Sequence, residues 1–217
     1  MKAVLIAFLF LFSVSSFGVP FSYSKDSSES SNTRREDIKE VGGKLLEKRQ
    51  NIREEIKEKR EAAREQFKAK REEFKEKLQT LKDERKKLAV EKIDARLSQI
   101  NENNTERMGN VLEKLNGILA KIEDRTNEAS ASGKDVSAVR SAIEEAKTAI
   151  AAAEDAVSTQ AGKEYVINIE DETTLKNVVG KTVSQLRQDL RNVHKLVVDA
   201  KQAARKAATE LAKLRNN

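Results

Sequence analysis

The chain has 217 residues and a formal net charge of +6, and it contains no cysteine, one proline and one histidine. The absence of cysteine excludes disulfides, thiol nucleophiles and cysteine metal sites, and a single histidine leaves little material for a catalytic constellation. The composition therefore favours a non-enzymatic protein with no catalytic residue, no metal and no cofactor. Because Pro20 is the only proline, the chain after it lacks the residue that most reliably breaks helices, and we expect long helices.

Residues 1–24 are typical of an export signal. Lys2 precedes an apolar run over residues 3–12, which is shorter than a membrane span requires. We predict cleavage before Lys25, and an exported location in the periplasm, at the cell surface or outside the cell. An uncleaved N-terminal anchor is the alternative, because mildly apolar residues continue beyond the run. The Ser-rich residues 25–33 are predicted to form a flexible spacer.

Residues 34–103 are predicted to form a charged helical stalk. Their apolar residues form pairs four residues apart, and successive pairs are shifted by eleven residues, so the apolar stripe runs almost straight along a helix. We expect this helix to continue without interruption through Asp124. The stripe is narrow, which leaves open a solvated single helix or one strand of a homo-oligomeric coil. The candidate stalk interface consists of Val41, Leu45, Ile52, Ile56, Ala63, Phe67, Phe74 and Leu78.

Residues 104–217 show the three-four apolar spacing of ordinary packed helices. Gly133 and Asp135 are typical of a helix C-terminus followed by an N-cap, and they predict a tight turn between two helices. The β-branched residues 165–169 are predicted to form a loop or a lone strand across the end of the bundle, with the last helix starting near Thr173. The predicted fold is all-α, with a long charged N-terminal helix leading into an antiparallel three-helix bundle.

Four short segments between residues 106 and 165 resemble a group of uncharacterised exported helical proteins from candidate-phylum bacteria with very small genomes. The resemblance covers roughly residues 90 to 215 and implies a bacterial envelope or secreted location. That group has no known activity, so the resemblance implies no functional residue. The segments are Glu-Arg-Met at 106–108, Val-Leu-Glu-Lys-Leu at 111–115, Gly-Lys-Asp-Val-Ser-Ala-Val at 133–139 and Gln-Ala-Gly-Lys-Glu-Tyr at 160–165.

The net charge arises in the stalk, where residues 34–92 hold 21 basic and 15 acidic residues, a difference equal to the +6 of the whole chain. A basic helix can bind phosphates or anionic surfaces through counterion release. Acidic residues are interleaved along the stalk, however, so a solvated rod is the simpler interpretation. His194 lies at the edge of the apolar positions of the last helix, where we expect a partly buried structural histidine and no metal.

Together these patterns predict an exported structural or interaction protein of the cell envelope, whose stalk self-associates or acts as a spacer. The expected partners are a second copy of the chain or another envelope protein. Weak contact with a polyanion is a further expectation, nucleic acid is not an expected partner, and membrane contact is expected only if the leader is uncleaved. The alternatives are a periplasmic holdase-type chaperone, or a surface binder of polyanions such as anionic lipid, wall polymer or DNA.

Overall fold

A computed structural model describes the backbone of residues 29–216, together with the side chains of Glu47 and of residues 50–214. The regular structure in this part of the chain is entirely α-helical, which confirms the predicted all-α class. The helices are α1 (Glu29–Gln66), α2 (Lys68–Thr80), α3 (Glu84–Ala131), α4 (Ser137–Ala161) and α5 (Leu175–Asn216).

Contacts divide the chain into two units, residues 1–38 and residues 39–217, and helices α2 to α5 all belong to the second. The predicted export signal, residues 1–24, lies outside the described residues. Of the predicted spacer, residues 29–33 already belong to α1. Helix α3 crosses position 103, where the predicted stalk meets the predicted bundle.

The expectation of one uninterrupted helix through Asp124 is wrong, because the chain leaves the helix between α2 and α3. Leu81 is extended, with φ −66° and ψ 128°, and its side chain is buried. Asp83 then caps α3, accepting hydrogen bonds from the backbone N–H groups of Arg85 (2.9 Å) and Lys86 (3.3 Å). An aspartate at this position satisfies donors that a new helix leaves free, so it stabilises a helix start without any proline.

Residues 51–80, called the arm from here on, pack antiparallel to α3. Arg53 contacts Glu113, Arg60 contacts Thr105 and Arg71 contacts Asp94, so the partner number falls as the arm number rises. The arm is nearly one helix, because the N–H of Phe67 still bonds to the carbonyl of Ala63 at 2.9 Å between α1 and α2. The second half of the predicted stalk is therefore folded back along the first half of α3.

Helices α3, α4 and α5 form the predicted three-helix bundle around a continuous apolar core. Leu112 of α3 and Ile150 of α4 are almost completely buried, and Ala146 and Ala153 let the backbone of α4 approach its neighbours. Helices α3 and α5 are parallel. Lys86 pairs with Glu172 (2.7 Å) near their starts, and the Lys134 ammonium donates to the Leu214 carbonyl near their ends.

The turn between α3 and α4 confirms the prediction made from its glycine and aspartate. Gly133 has φ +78°, a conformation that costs a residue with a side chain about 1 kcal/mol or more. Asp135 accepts a hydrogen bond from the backbone N–H of Ser137 at 2.9 Å. The predicted turn is therefore present and Gly133 ends α3, whereas the N-cap position of α4 is Val136, one residue after the predicted Asp135.

The segment between α4 and α5 is a loop, which settles the choice between loop and strand for residues 165–169. Tyr165, Ile167 and Ile169 are buried while the residues between them are more exposed. Their side chains join a second apolar cluster, to which the arm, the start of α3 and the start of α5 also contribute. The buried members are Phe74, Leu78, Leu81, Val90, Leu97, Tyr165, Ile167, Ile169, Leu175 and Leu186.

Candidate functional site

The candidate stalk interface lies largely against the chain's own α3 and the loop that follows α4. Ile56, Ala63, Phe74 and Leu78 are buried. Ile52 and Phe67 are partly buried, and Ile52 packs against the bundle core. The side chains of Val41 and Leu45 lie outside the described residues. Self-association through this stripe stays a prediction, and the side chains that the structure describes already have intramolecular neighbours.

An ion-pair cluster fixes the arm to the base of the bundle. The Arg71 guanidinium donates to Asp94 (3.1 Å) and Ser98 (2.7 Å) of α3, and also to Glu164 in the loop after α4. Burial raises the pKa of Asp94, with Arg71 opposing the shift. Burial lowers the pKa of Arg71, but Glu164 and Asp94 outweigh it and the net shift is upward. One cation thus joins three separate segments of the chain.

A second polar network extends from this cluster to α5. The Gln160 amide donates to Asn101 (2.9 Å) and to the Tyr165 hydroxyl (2.8 Å), and that hydroxyl donates to Asp189 (2.7 Å). Burial raises the pKa of Tyr165 well above its usual value. Burial also raises the pKa of Asp189, but hydrogen bonds from Tyr165 and Lys163 outweigh it and the pKa is lowered. This network orients the loop between α4 and α5.

The two networks border a cleft of about 410 Å³ between the arm, α3 and the loop. Its cations are paired within the chain, since Arg60 reaches Thr105 (2.9 Å) and Glu102 (3.5 Å), and Arg71 holds Asp94 and Glu164. Two buried atoms of the lining, Arg60 Nε and Asp94 Oδ1, have no hydrogen-bond partner among the described residues. Charges that are already paired offer little to a ligand. We assign the cleft a structural role in holding the arm.

A larger groove of about 490 Å³ lies between the parallel helices α3 and α5. Its floor is apolar and comes from Met108, Val111, Leu190, Val197 and Val198. Val111 is 38% exposed, and Ile118, one heptad further along α3, is 47% exposed. Residues seven apart lie on nearly the same side of a helix, so Ile118 continues the line of Val111.

Both edges of this groove are basic, and we call them its cationic rims. Arg107, Arg191, His194 and Lys201 line the groove directly, and no carboxylate does. Helical spacing places further lysines and arginines on the same sides of α3 and α5. All rim residues are exposed, and no carboxylate among the described residues lies within ion-pair distance of them. The rims comprise Arg107, Lys114, Lys121 and Arg125 of α3, and Arg187, Arg191, Lys201 and Arg205 of α5.

Three acidic residues of the same helix stretches form ion pairs away from the groove. Glu113 pairs with Arg53 of the arm, Glu123 pairs with Lys147 of α4, and Asp189 contacts Lys163 and Tyr165 in the loop. The charged residues that line the groove are thus basic, although both helices carry acidic and basic residues. This segregation makes the groove the surface of the described chain with the clearest preference for an anionic, partly apolar ligand.

His194 is exposed at the groove edge, so the expectation of a partly buried structural histidine is wrong. It follows Val193, which is buried in the bundle core, and helical geometry turns the next residue outward. Within residues 29–216, no cluster of three or more histidine, acidic or cysteine side chains has a metal-binding arrangement.

No family model matches the chain, and no curated protein or solved structure does so either. The resemblance to exported helical proteins of small bacteria therefore stays a prediction. Among the described residues, no helix is long and apolar enough to span a membrane.

Proposed function

We propose that the chain is an exported, non-enzymatic interaction protein of the cell envelope, which binds a partner in the groove between α3 and α5. The observation that carries this proposal is the groove itself, with an apolar floor between two rims of unpaired cations. Export is supported by the composition of residues 1–24. The arm serves as a charged helical brace that packs along α3.

Binding in the groove would be favoured both by burial of exposed apolar surface and by attraction to the cations. Val111 and Ile118 keep 38% and 47% of their surface exposed. Covering such side chains contributes roughly 1 kcal/mol each, from about 25 cal/mol per Å² of apolar area. The cations around them attract an anionic partner from a distance and orient it. Apolar contacts and charge thus act on the same ligand.

Self-association of the stalk is a separate part of the proposal. Ile56, Phe74 and Leu78 are buried within the chain, so a homo-oligomer through their stripe requires the arm of one copy to pack on α3 of another. Such an exchange conserves every arm contact described above. Light scattering coupled to size exclusion, on the chain beginning at Lys25, distinguishes a swapped dimer from a monomer.

Binding of a polyanion is the second candidate function, and the cationic rims favour it. A surface that binds phosphate or sulfate polymers through eight cations loses affinity steeply as salt increases. A groove that also buries apolar side chains retains part of its affinity at high salt. The salt dependence of binding therefore separates the two functions.

Site-specific photo-cross-linking in the producing cell tests the proposal directly. A benzophenone amino acid is placed at Val111 or Ile118 in the groove, and at Thr148, which is exposed on α4, as the control. We expect a discrete adduct from the two groove positions and none from Thr148. Equal cross-linking at all three positions, or none at the groove positions, would contradict the proposal. An adduct with the mass of two copies would identify the partner as the chain itself.

A further inference from the structure

We propose that the occupant of the groove is an amphipathic α-helix of a partner protein, with an apolar ridge flanked on both sides by aspartate and glutamate. This inference rests on the proposed function and names the partner class for the same site. Apolar side chains form the floor and cations form both rims. The complementary ligand therefore has apolar residues in its centre and anions along its two edges.

The length of the groove matches several turns of a helix. On α5 the lining runs from Leu190 to Lys201, a rise of about 16 Å, and on α3 it runs from Asn104 to Val111. Ile118 and Lys121 extend the same side of α3 by about two to three further turns. An amphipathic helix places its anchoring side chains at three-four spacing over this distance, as in other helix-in-groove interactions.

The distribution of charge argues against a single anionic headgroup. Arg191 and Lys201 are separated by about 15 Å along α5, and Arg107 stands on the opposite rim. A lipid headgroup or free phosphate can approach only one end of such an arrangement. The acidic side chains of a helix are distributed along both edges and can approach all three cations.

The depth of the groove argues against a flat bilayer as the ligand, and its residue types argue against stacked bases. Met108 and Val197 lie buried at the floor, below lysine and arginine side chains that are exposed. A flat anionic membrane would meet the rims and leave the floor uncovered. The groove lining contains no phenylalanine, tyrosine or tryptophan on which successive bases could stack, and the imidazole of His194 is its single aromatic ring. A second copy docking groove to groove would oppose the rims of both copies and repel.

The neighbouring groove of the same bundle already holds a helix in this way. The arm lies over α3 and α4, where Ile56 approaches Gly109, Arg53 makes two hydrogen bonds to Glu113 (2.6 and 3.0 Å), and Glu55 accepts from Ser158 (2.6 Å). Apolar contact in the centre and charged contact at the edges thus seat a helix on this bundle. The groove between α3 and α5 has the same construction with cations at both edges, so it suits a helix of opposite charge.

A designed peptide tests the inference by fluorescence anisotropy. The probe is a labelled helical peptide of about three heptads, with leucine at three-four spacing and glutamate at the flanking positions. One control peptide has the same composition in scrambled order, and another has lysine in place of every glutamate. We expect the acidic amphipathic peptide to bind the chain beginning at Lys25 at least tenfold more tightly than either control.

Protein variants locate the binding. Arg107→Glu combined with Lys201→Glu should weaken peptide binding at least tenfold, because both rims then repel the ligand. The matched control combines Arg140→Glu and Lys181→Glu, which makes the same change in net charge at exposed positions outside the groove. It should change affinity less than threefold. Val111→Ser alters no charge and should still weaken peptide binding severalfold, since it removes apolar contact at the floor.

Two outcomes would overturn the inference. The first outcome is that the scrambled peptide binds as tightly as the amphipathic one. Equivalent to it is that heparin or phosphatidylglycerol vesicles bind more tightly than the amphipathic peptide and are equally sensitive to the rim variants. In either case the groove binds polyanions. The inference then fails while the proposed binding surface stands. If no probe responds to the rim variants, the inference also fails, and the cross-linking at Val111 decides separately whether the proposed function fails with it.

Discussion

Replacing Phe74 by alanine tests whether the arm packs within its own chain. Phe74 is 6% exposed and lies in the second apolar cluster, together with side chains of α3, α5 and the loop between α4 and α5. Truncating a buried phenylalanine costs about 3–5 kcal/mol from lost burial and the cavity left behind. In a chain of this size that cost lowers the midpoint of thermal unfolding by roughly 6–20 °C.

The matched control is Leu88→Ala, because Leu88 is a large apolar residue of α3 that is 60% exposed. We expect its substitution to change the free energy of unfolding by less than about 0.5 kcal/mol. Urea unfolding followed by circular dichroism at 222 nm measures both variants. Intramolecular packing also predicts that the midpoint is independent of protein concentration.

Two results would refute this reasoning. Equal and small effects of both substitutions would mean that Phe74 is solvated, as it is in an isolated charged helix. A midpoint that rises with protein concentration in the natural chain, and no longer does so in Phe74→Ala, would mean that the stripe is buried between copies. That second result would support the self-associating stalk.

Three further predictions concern the polar networks and the turns. Arg71→Ala should lower the free energy of unfolding by about 2–4 kcal/mol, because it leaves two mostly buried carboxylates without their cation. Urea unfolding measures this loss, and Arg71→Lys should recover part of it. The pKa of Asp189 is lower in the folded chain than in the unfolded chain, so its carboxylate stabilises the fold. This contribution is complete above the pKa that Asp189 has in the unfolded chain. It disappears as the pH falls through the pKa that Asp189 has in the folded chain. The gap in urea midpoint between the natural chain and Asp189→Asn should therefore narrow from pH 6 to pH 2, and a constant gap would contradict the hydrogen-bond account. Thermal unfolding should show that Gly133→Ala destabilises by about 1 kcal/mol because of its positive φ, whereas Gly180→Ala, in open space within α5, stabilises by about 0.5–1 kcal/mol.

Helix periodicity made the bundle predictable from sequence. Val139, Ile143, Ala146, Ile150 and Ala153 recur at three-four spacing, and each is buried where that spacing places it. The glycine and aspartate of the turn before them have local conformational preferences that do not depend on distant contacts. Such local signals suffice to define where helices pack and where they end.

The reversal of chain direction between the arm and α3 was harder to predict, because the N-cap residue of α3 is its single local sequence signal. Asp83 follows the lysine-rich end of α2 without a proline or glycine. Its apolar neighbours Leu78 and Leu81 fit the apolar stripe equally well in one uninterrupted helix and in a folded-back arm. Long-range contacts favour the folded-back form, namely the ion pairs of Arg53 and Arg71 and the burial of Phe74 in the second apolar cluster. Sequence spacing along one helix carries no information about partners that are about 20 to 90 residues away.

The basic groove is not evident from the net charge, because it depends on how charges are arranged around the helices and not along the chain. Outside residues 34–92 the basic and acidic residues balance, so net charge gave no indication of a charged surface there. The signal was nevertheless present in the heptad spacing of Arg107, Lys114 and Lys121 on one side of α3. A matching basic side of α5 becomes significant only when the two helices are known to be parallel neighbours.

Methyl-resolved NMR of the chain beginning at Lys25, recorded with and without the acidic amphipathic peptide, tests most directly whether the α3/α5 groove is a partner-binding surface. The peptide should shift the methyl signals of Val111, Ile118 and Val198 and give intermolecular contacts to them, while Ile150 in the bundle core stays unchanged. Shifts confined to the arm, or peptide contacts that include none of the three groove residues, would contradict the account.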